Sequence, residues 1–62
     1  MKIMYIFLKN GNEAFLNIDK IVYFEEIDKE TTRVHLITGA YLDTQKLFDD
    51  FTDDFNNIDE LS

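Results

Sequence analysis

The sequence predicts an α+β fold: a small antiparallel β-sheet of four to five strands, followed by one C-terminal amphipathic helix. Three observations carry this reading. Residues 2–43 contain short runs of β-branched and aromatic residues, which suit a pleated, half-buried surface. Turn-forming residues separate these runs at Asn10-Gly11, Asp28–Thr32 and Thr38-Gly39. Beyond Asp43 the apolar spacing changes to threes and fours, the period of a helical face.

The strands follow from the runs in order. The first spans Lys2–Lys9. Asn10-Gly11 then reads as a tight hairpin of type I′, which needs positive φ at both positions. The second strand is Glu13–Asn17. Asn17-Ile18-Asp19-Lys20 makes a corner, because Asn and Asp side chains bond their local backbone. The third strand is Lys20–Ile27, the fourth Thr32–Thr38, and the fifth Ala40–Asp43. In the fourth, Val34 and Leu36 share one face, with Arg33 and His35 on the other. The first strand differs: Ile3, Tyr5 and Phe7 lie on one face and Met4, Ile6 and Leu8 on the other, so both faces need cover.

The helix is read over residues 44–58, with Asp43 or Thr44 as N-cap. Leu47, Phe48, Phe51, Phe55 and Ile58 form its apolar face, and Phe51 and Phe55 are expected in the core. A short acidic tail, residues 59–62, completes a single domain spanning 1–62.

Charge is the most informative part of the composition. Thirteen acids against six bases give a net charge of −7, and residues 43–62 hold seven of the acids with only Lys46 against them. Such a chain is not expected to bind nucleic acid or an anionic membrane, since both need clustered Lys and Arg. A basic protein surface would be attracted. Asp49–Asp53 and Asp50–Asp54 are like-charged pairs one turn apart, so the helix is not optimised for its own stability. With no Cys and one His, thiolate and imidazole-rich metal sites are excluded. No apolar run approaches a membrane span, and a cytoplasmic location is expected. So short a chain is marginal on its own core, which with the two-faced first strand predicts a homo-oligomer built through Ile3–Leu8 or Val22–Phe24.

The chemistry of an enzyme is missing. Asp49-Asp50-Phe51-Thr52-Asp53-Asp54 matches the string D-D-x-x-D, which on a helix can aim oxygens at a hard cation. Enzymes that use it enclose a deep apolar cavity that this chain is too short to build, so the acids read as a solvated face. His35 has no neighbouring nucleophile in sequence, and Glu25-Glu26 puts one carboxylate on each sheet face. No phosphate-binding Gly-rich loop is present. Neither a catalytic residue nor a cofactor is therefore expected. The candidate partner-binding residues are Tyr5, Tyr23 and Tyr41, whose hydroxyls need water or a partner, and the acids Asp49, Asp50, Asp53 and Asp54.

The run Leu8-Lys9-Asn10-Gly11-Asn12-Glu13-Ala14-Phe15-Leu16-Asn17-Ile18-Asp19-Lys20-Ile21, then Tyr23-Phe24-Glu25-Glu26 and Val34-His35-Leu36-Ile37-Thr38-Gly39-Ala40-Tyr41, resembles the small flagellar-operon proteins of the FlbD (SwrD) family. The pattern spans residues 6–56. Small proteins of phages and Gram-positive bacteria share this rhythm. The resemblance implies a regulatory adaptor that acts by binding a protein partner. The alternative reading is a phage or mobile-element inhibitor, which mimics nucleic-acid charge or sequesters a small molecule at an oligomer interface.

Overall fold

A computed structural model describes residues 2–58 of the chain. The elements run β1 (Ile3–Phe7), β2 (Glu13–Asn17), a 3₁₀ turn (Ile18–Lys20), β3 (Ile21–Asp28), β4 (Thr31–Leu36), β5 (Tyr41–Thr44) and α1 (Phe48–Asn57). The acidic tail, with Asp59 and Glu60, lies outside the described residues.

The fold is α+β, but the strands form two antiparallel sheets where one was expected. One pairs β1 with β2, and the other has the order β3-β4-β5. The sheets are joined at a single corner. Leu8 bridges Thr44, the Lys9 N–H donates to the Asp43 carbonyl (2.9 Å), and the Gln45 N–H donates to the Phe7 carbonyl (2.9 Å). Beyond that corner β1 and β5 part company, as strand twist allows. Lys46, Asp54, Asn57 and Ile58 then face Ile3, Met4 and Tyr5 across a groove, where a longer β5 would otherwise lie.

The β1–β2 and β4–β5 hairpins close in the same way. In the first, the Gly11 N–H donates to Leu8 C=O (3.0 Å) and the Leu8 N–H to Asn12 C=O (2.8 Å). In the second, the Gly39 N–H donates to Leu36 C=O and the Leu36 N–H to Ala40 C=O, both at 2.9 Å. Gly11 and Gly39 have φ of 91° and 92°, while Asn10 has negative φ. The Asn10-Gly11 turn is therefore not the expected type I′ but the longer form in which one left-handed glycine ends the turn. Asn10 and Thr38 instead accept the N–H two residues on, from Asn12 and Ala40. The corner after β2 forms as expected, with the Asn17 side chain accepting the Asp19 N–H.

The core is one cluster: Met4, Ile6, Leu16, Ile18, Val34 and Phe51. Alternation along β1 explains its share, since Met4 and Ile6 point inward while Tyr5 and Phe7 point out. The helix contributes Phe51, which is fully buried against the Phe24 ring, with centroids 4.6 Å apart. Phe48, Phe55 and Ile58 are half-buried, and Phe48 and Phe55 flank the same Phe24 ring at 5.6 and 5.3 Å.

The helix begins later than the sequence suggested. Neither Asp43 nor Thr44 caps it, because both belong to β5, where they pair with Arg33 and Thr32. Leu47 occupies the N-cap position with no side-chain cap and is exposed, not part of the apolar face. Thr44 acts one step earlier, its hydroxyl accepting the Lys46 N–H (3.2 Å) while the Thr32 hydroxyl donates to the Lys46 carbonyl (2.9 Å). Both threonines are fully buried, and these bonds satisfy them.

Truncating Phe51 to Ala should cost about 3–5 kcal/mol. Total stability in so small a domain is about 5 kcal/mol, so the variant should be largely unfolded by circular dichroism. Phe55→Ala, at a half-buried position, should melt measurably closer to the parent. Equal melting of the two would place the centre of the core elsewhere.

Candidate functional site

The candidate residues fall into three groups: Tyr5, which borders the helix acids across a groove, the pair Tyr23 and Tyr41 on the other sheet, and the helix acids themselves. Tyr5 lies on the outward face of the β1–β2 hairpin. Its register partner across the hairpin is Phe15, and Phe7 is the next outward residue along β1. The Tyr5 ring lies 5.4 Å from Phe7, edge-on, and 5.5 Å from Phe15. All three remain open to solvent, at 42% for Tyr5, 47% for Phe7 and 76% for Phe15. The Tyr5 hydroxyl donates to the Glu13 carboxylate, which holds the phenol proton on and raises its pKa above the ordinary value. Beside this face runs an open groove of about 470 Å³ lined by Tyr5, Phe7, Gln45, Lys46, Leu47 and Asp50.

Tyr23 and Tyr41 are brought together on the outward face of the other sheet. Antiparallel register sets His35 of β4 between them. Tyr23 stacks on His35 with centroids 4.1 Å apart and planes 15° apart, and Tyr41 lies 6.1 Å away on the other side. The next row is charged. Glu25, Arg33 and Asp43 align across the three strands. Arg33 makes a two-point contact with Asp43, Nε to Oδ1 at 2.7 Å and Nη2 to Oδ2 at 3.1 Å, while its guanidinium carbon sits 4.3 Å above the Tyr41 ring. His35 Nε2 lies 2.5 Å from Glu25 Oε2. Alternation put Arg33 and His35 on one face, but the cross-strand partners Glu25 and Asp43 depend on register and were not found.

The four helix acids, Asp49, Asp50, Asp53 and Asp54, are exposed. Asp49 and Asp50 sit in the first turn, where the helix dipole favours negative charge. Asp54 is engaged by Lys46. Asp50 lines the groove beside Tyr5, so the acidic helix borders the aromatic face of the hairpin. Among the described residues no three acidic or histidine side chains converge on one point. No helix among them is long and apolar enough to cross a membrane.

Phe15 is not among the residues the sequence marks as candidates, while Phe7 is marked only as part of the Ile3–Leu8 run and Leu47 only as part of the helix's apolar face. The signal for Phe15 is present in Ala14-Phe15-Leu16: once Leu16 faces the core, Phe15 must face away. Nothing in local spacing marks Leu47 as exposed, because its exposure follows from the delayed start of the helix.

No protein-family model matches this chain, and no curated protein or solved structure shows significant similarity to it.

Two carboxylates tie this surface to pH. The Arg33 guanidinium, through its hydrogen bonds and charge, holds the Asp43 carboxyl below its ordinary 3.8. Asp28 is also lowered, chiefly by the Glu30 N–H it accepts at 2.8 Å. A carboxyl whose folded pKa lies below its unfolded one stabilises the fold above the unfolded value. That contribution is lost as pH falls through the folded value. Stability should therefore drop as pH falls below 3.8. Asp43→Asn should flatten that drop in acid titrations followed by circular dichroism. An acid transition identical to the parent's would show that the Arg33–Asp43 pair contributes nothing.

Proposed function

We propose that this chain is a small acidic, non-enzymatic regulatory module that acts by binding a protein partner through the aromatic face of the β1–β2 hairpin. The observation that carries the reading is the exposure of Phe15, beside Tyr5 and Phe7, on one sheet face. Single exposed apolar residues are ordinary on a protein surface, but a contiguous aromatic cluster is a recurrent feature of interfaces. Aromatic anchors also supply much of the energy in characterised complexes.

The rim gives the partner its chemistry. Glu13 and Asp50 border the cluster, and the chain as a whole carries −7. A complementary surface would offer an apolar pocket edged by Lys or Arg. Charge of this kind speeds encounter and selects partners more than it adds affinity. The likeness of Leu8–Ile21, Tyr23–Glu26 and Val34–Tyr41 to the FlbD (SwrD) pattern supports a regulatory adaptor working in the cytoplasm. The helix acids enter this reading as a solvated border that excludes wrong partners.

The test is affinity capture with the tagged chain, followed by measured binding to the recovered partner. Phe15→Ser should lower affinity by about 2 kcal/mol or more, as expected of an interface anchor. It should change folding stability by no more than about 0.5 kcal/mol, since the site is on the surface. Replacing Asp49, Asp50, Asp53 and Asp54 together with Asn should reduce the association rate and its salt dependence while leaving a bound complex. If Phe15→Ser binds normally and the Asn variant does not, the acidic helix is the site and the charge-mimic reading takes its place.

A further inference from the structure

We propose that the protein partner supplies a short, basic, extended segment that adds to β1 as a further strand, in the groove between β1 and α1. This inference rests on the partner-binding reading, since the strand is the partner's. Its first support is the direction of the backbone groups. Antiparallel partners bond at every second residue. The Leu8 N–H donates to the Asn12 carbonyl, and the Lys2 carbonyl accepts the Ile18 N–H, so the even-numbered residues of β1 turn their backbone groups toward β2. The odd-numbered ones turn the other way, where the Phe7 carbonyl accepts the Gln45 N–H and the Lys9 N–H donates to the Asp43 carbonyl. That ladder stops at Phe7, because the chain leaves β1 after Gln45 to enter the helix. Among the described residues nothing bonds the Phe7 N–H, either backbone group of Tyr5, or the Ile3 carbonyl.

The second support is the space beside that edge. Two open stretches of groove, about 470 and 430 Å³, run along β1 and meet at Tyr5 and Lys46. Leu47 and Asp50 wall the first, Asp54 and Ile58 the second. At about 3.4 Å per residue β1 offers an edge of about 14 Å, room for a segment of about five residues. Proteins commonly blunt such an edge with Lys or Pro, and Ile3-Met4-Tyr5-Ile6-Phe7 contains neither. Charge then selects the occupant. Lys46 is tied to Asp54, so among the described residues Asp50 stands unpaired on the groove wall, and the chain as a whole carries −7. A segment carrying Lys is drawn to that wall, and one carrying Glu is repelled. A second copy of this chain fits poorly. Its β1 carries no base, and pairing the two edges would bring the Asp50 and Asp54 of both copies to one seam. Residues opposed to Tyr5 and Phe7 point to the same side as they do, so the added strand extends the aromatic face.

The probe is a short capped peptide of alternating Val and Lys, titrated into the full chain, with an alternating Val and Glu peptide as control. Amide hydrogen exchange followed by NMR is the readout. The Val-Lys peptide should slow exchange of the Tyr5 and Phe7 N–H about tenfold, as one new hydrogen bond each allows. Met4 and Ile6, already bonded to β2, should change far less. Asp50→Lys, at an exposed position, should raise the peptide's dissociation constant about fivefold, and the Val-Glu peptide should protect neither amide. Tyr5 and Phe7 left unprotected, whether or not the peptide binds, would overturn the proposal, as would equal protection by the two peptides. Protection that grows with chain concentration in the absence of peptide would place a second copy on the edge and overturn it too. Phe15→Ser separates this proposal from the reading it rests on. If the variant loses the captured partner while the parent's Tyr5 and Phe7 amides stay unprotected, the aromatic-face reading holds and strand addition fails. If the amides are protected and Phe15→Ser leaves partner binding intact, strand addition holds and the aromatic-face reading fails.

Discussion

The position of Phe51 governs this fold. Among the described residues six make up the buried core, and only Phe51 of these comes from the helix. The two sheets touch through backbone at one corner, so elsewhere they depend on shared side-chain contact. Phe51 supplies it, packing on Phe24 of one sheet within a cluster that includes Met4, Ile6 and Leu16 of the other. The helix cannot hold this place by its own propensity, given its like-charged Asp pairs and uncapped start. Burial of a large ring against both sheets holds it there.

The route into the helix is set with comparable care. Thr44 ends β5, bridges Leu8, and accepts the Lys46 N–H, while Thr32 fixes the Lys46 carbonyl. No side-chain polar atom buried among the described residues lacks a partner. The turn leading out of β5 is thus anchored in the core, and Lys46, the one base in the acidic third of the sequence, extends from it to Asp54. That pair partly relieves the repulsion between Asp50 and Asp54 one turn apart.

Local chemistry made much of this legible. The β2 boundaries, the Asn17 corner and the inward placement of Val34 follow from alternation and side-chain bonding to nearby backbone. The outward position of Tyr5 follows from the same alternation. What escaped the sequence depends on partners distant along the chain. Thr44 reads equally well as a cap or as a strand end until Thr32 and Leu8 are known to flank it. One sheet or two turns on how far β1 follows β5. The Tyr23–His35–Tyr41 row and the Arg33–Asp43 pair depend on inter-strand register, which bulges in β3 shift by a residue. Leu47 looked apolar and periodic, yet became exposed when the helix began after it.

The corner seam between Phe7–Lys9 and Asp43–Gln45 also bears on how the chain folds. Its contacts are among the most widely separated in sequence, as in the bond from the Gln45 side chain to Leu8, 37 residues away. The three hairpins, by contrast, close over a few residues each. Loop-closure entropy delays long-range contacts until local ones have formed. Each hairpin can therefore assemble early, with the seam and Phe51 closing last. Closing that seam is the step that chain entropy makes slow, so the seam, more than any one hairpin, sets how fast the native state is reached.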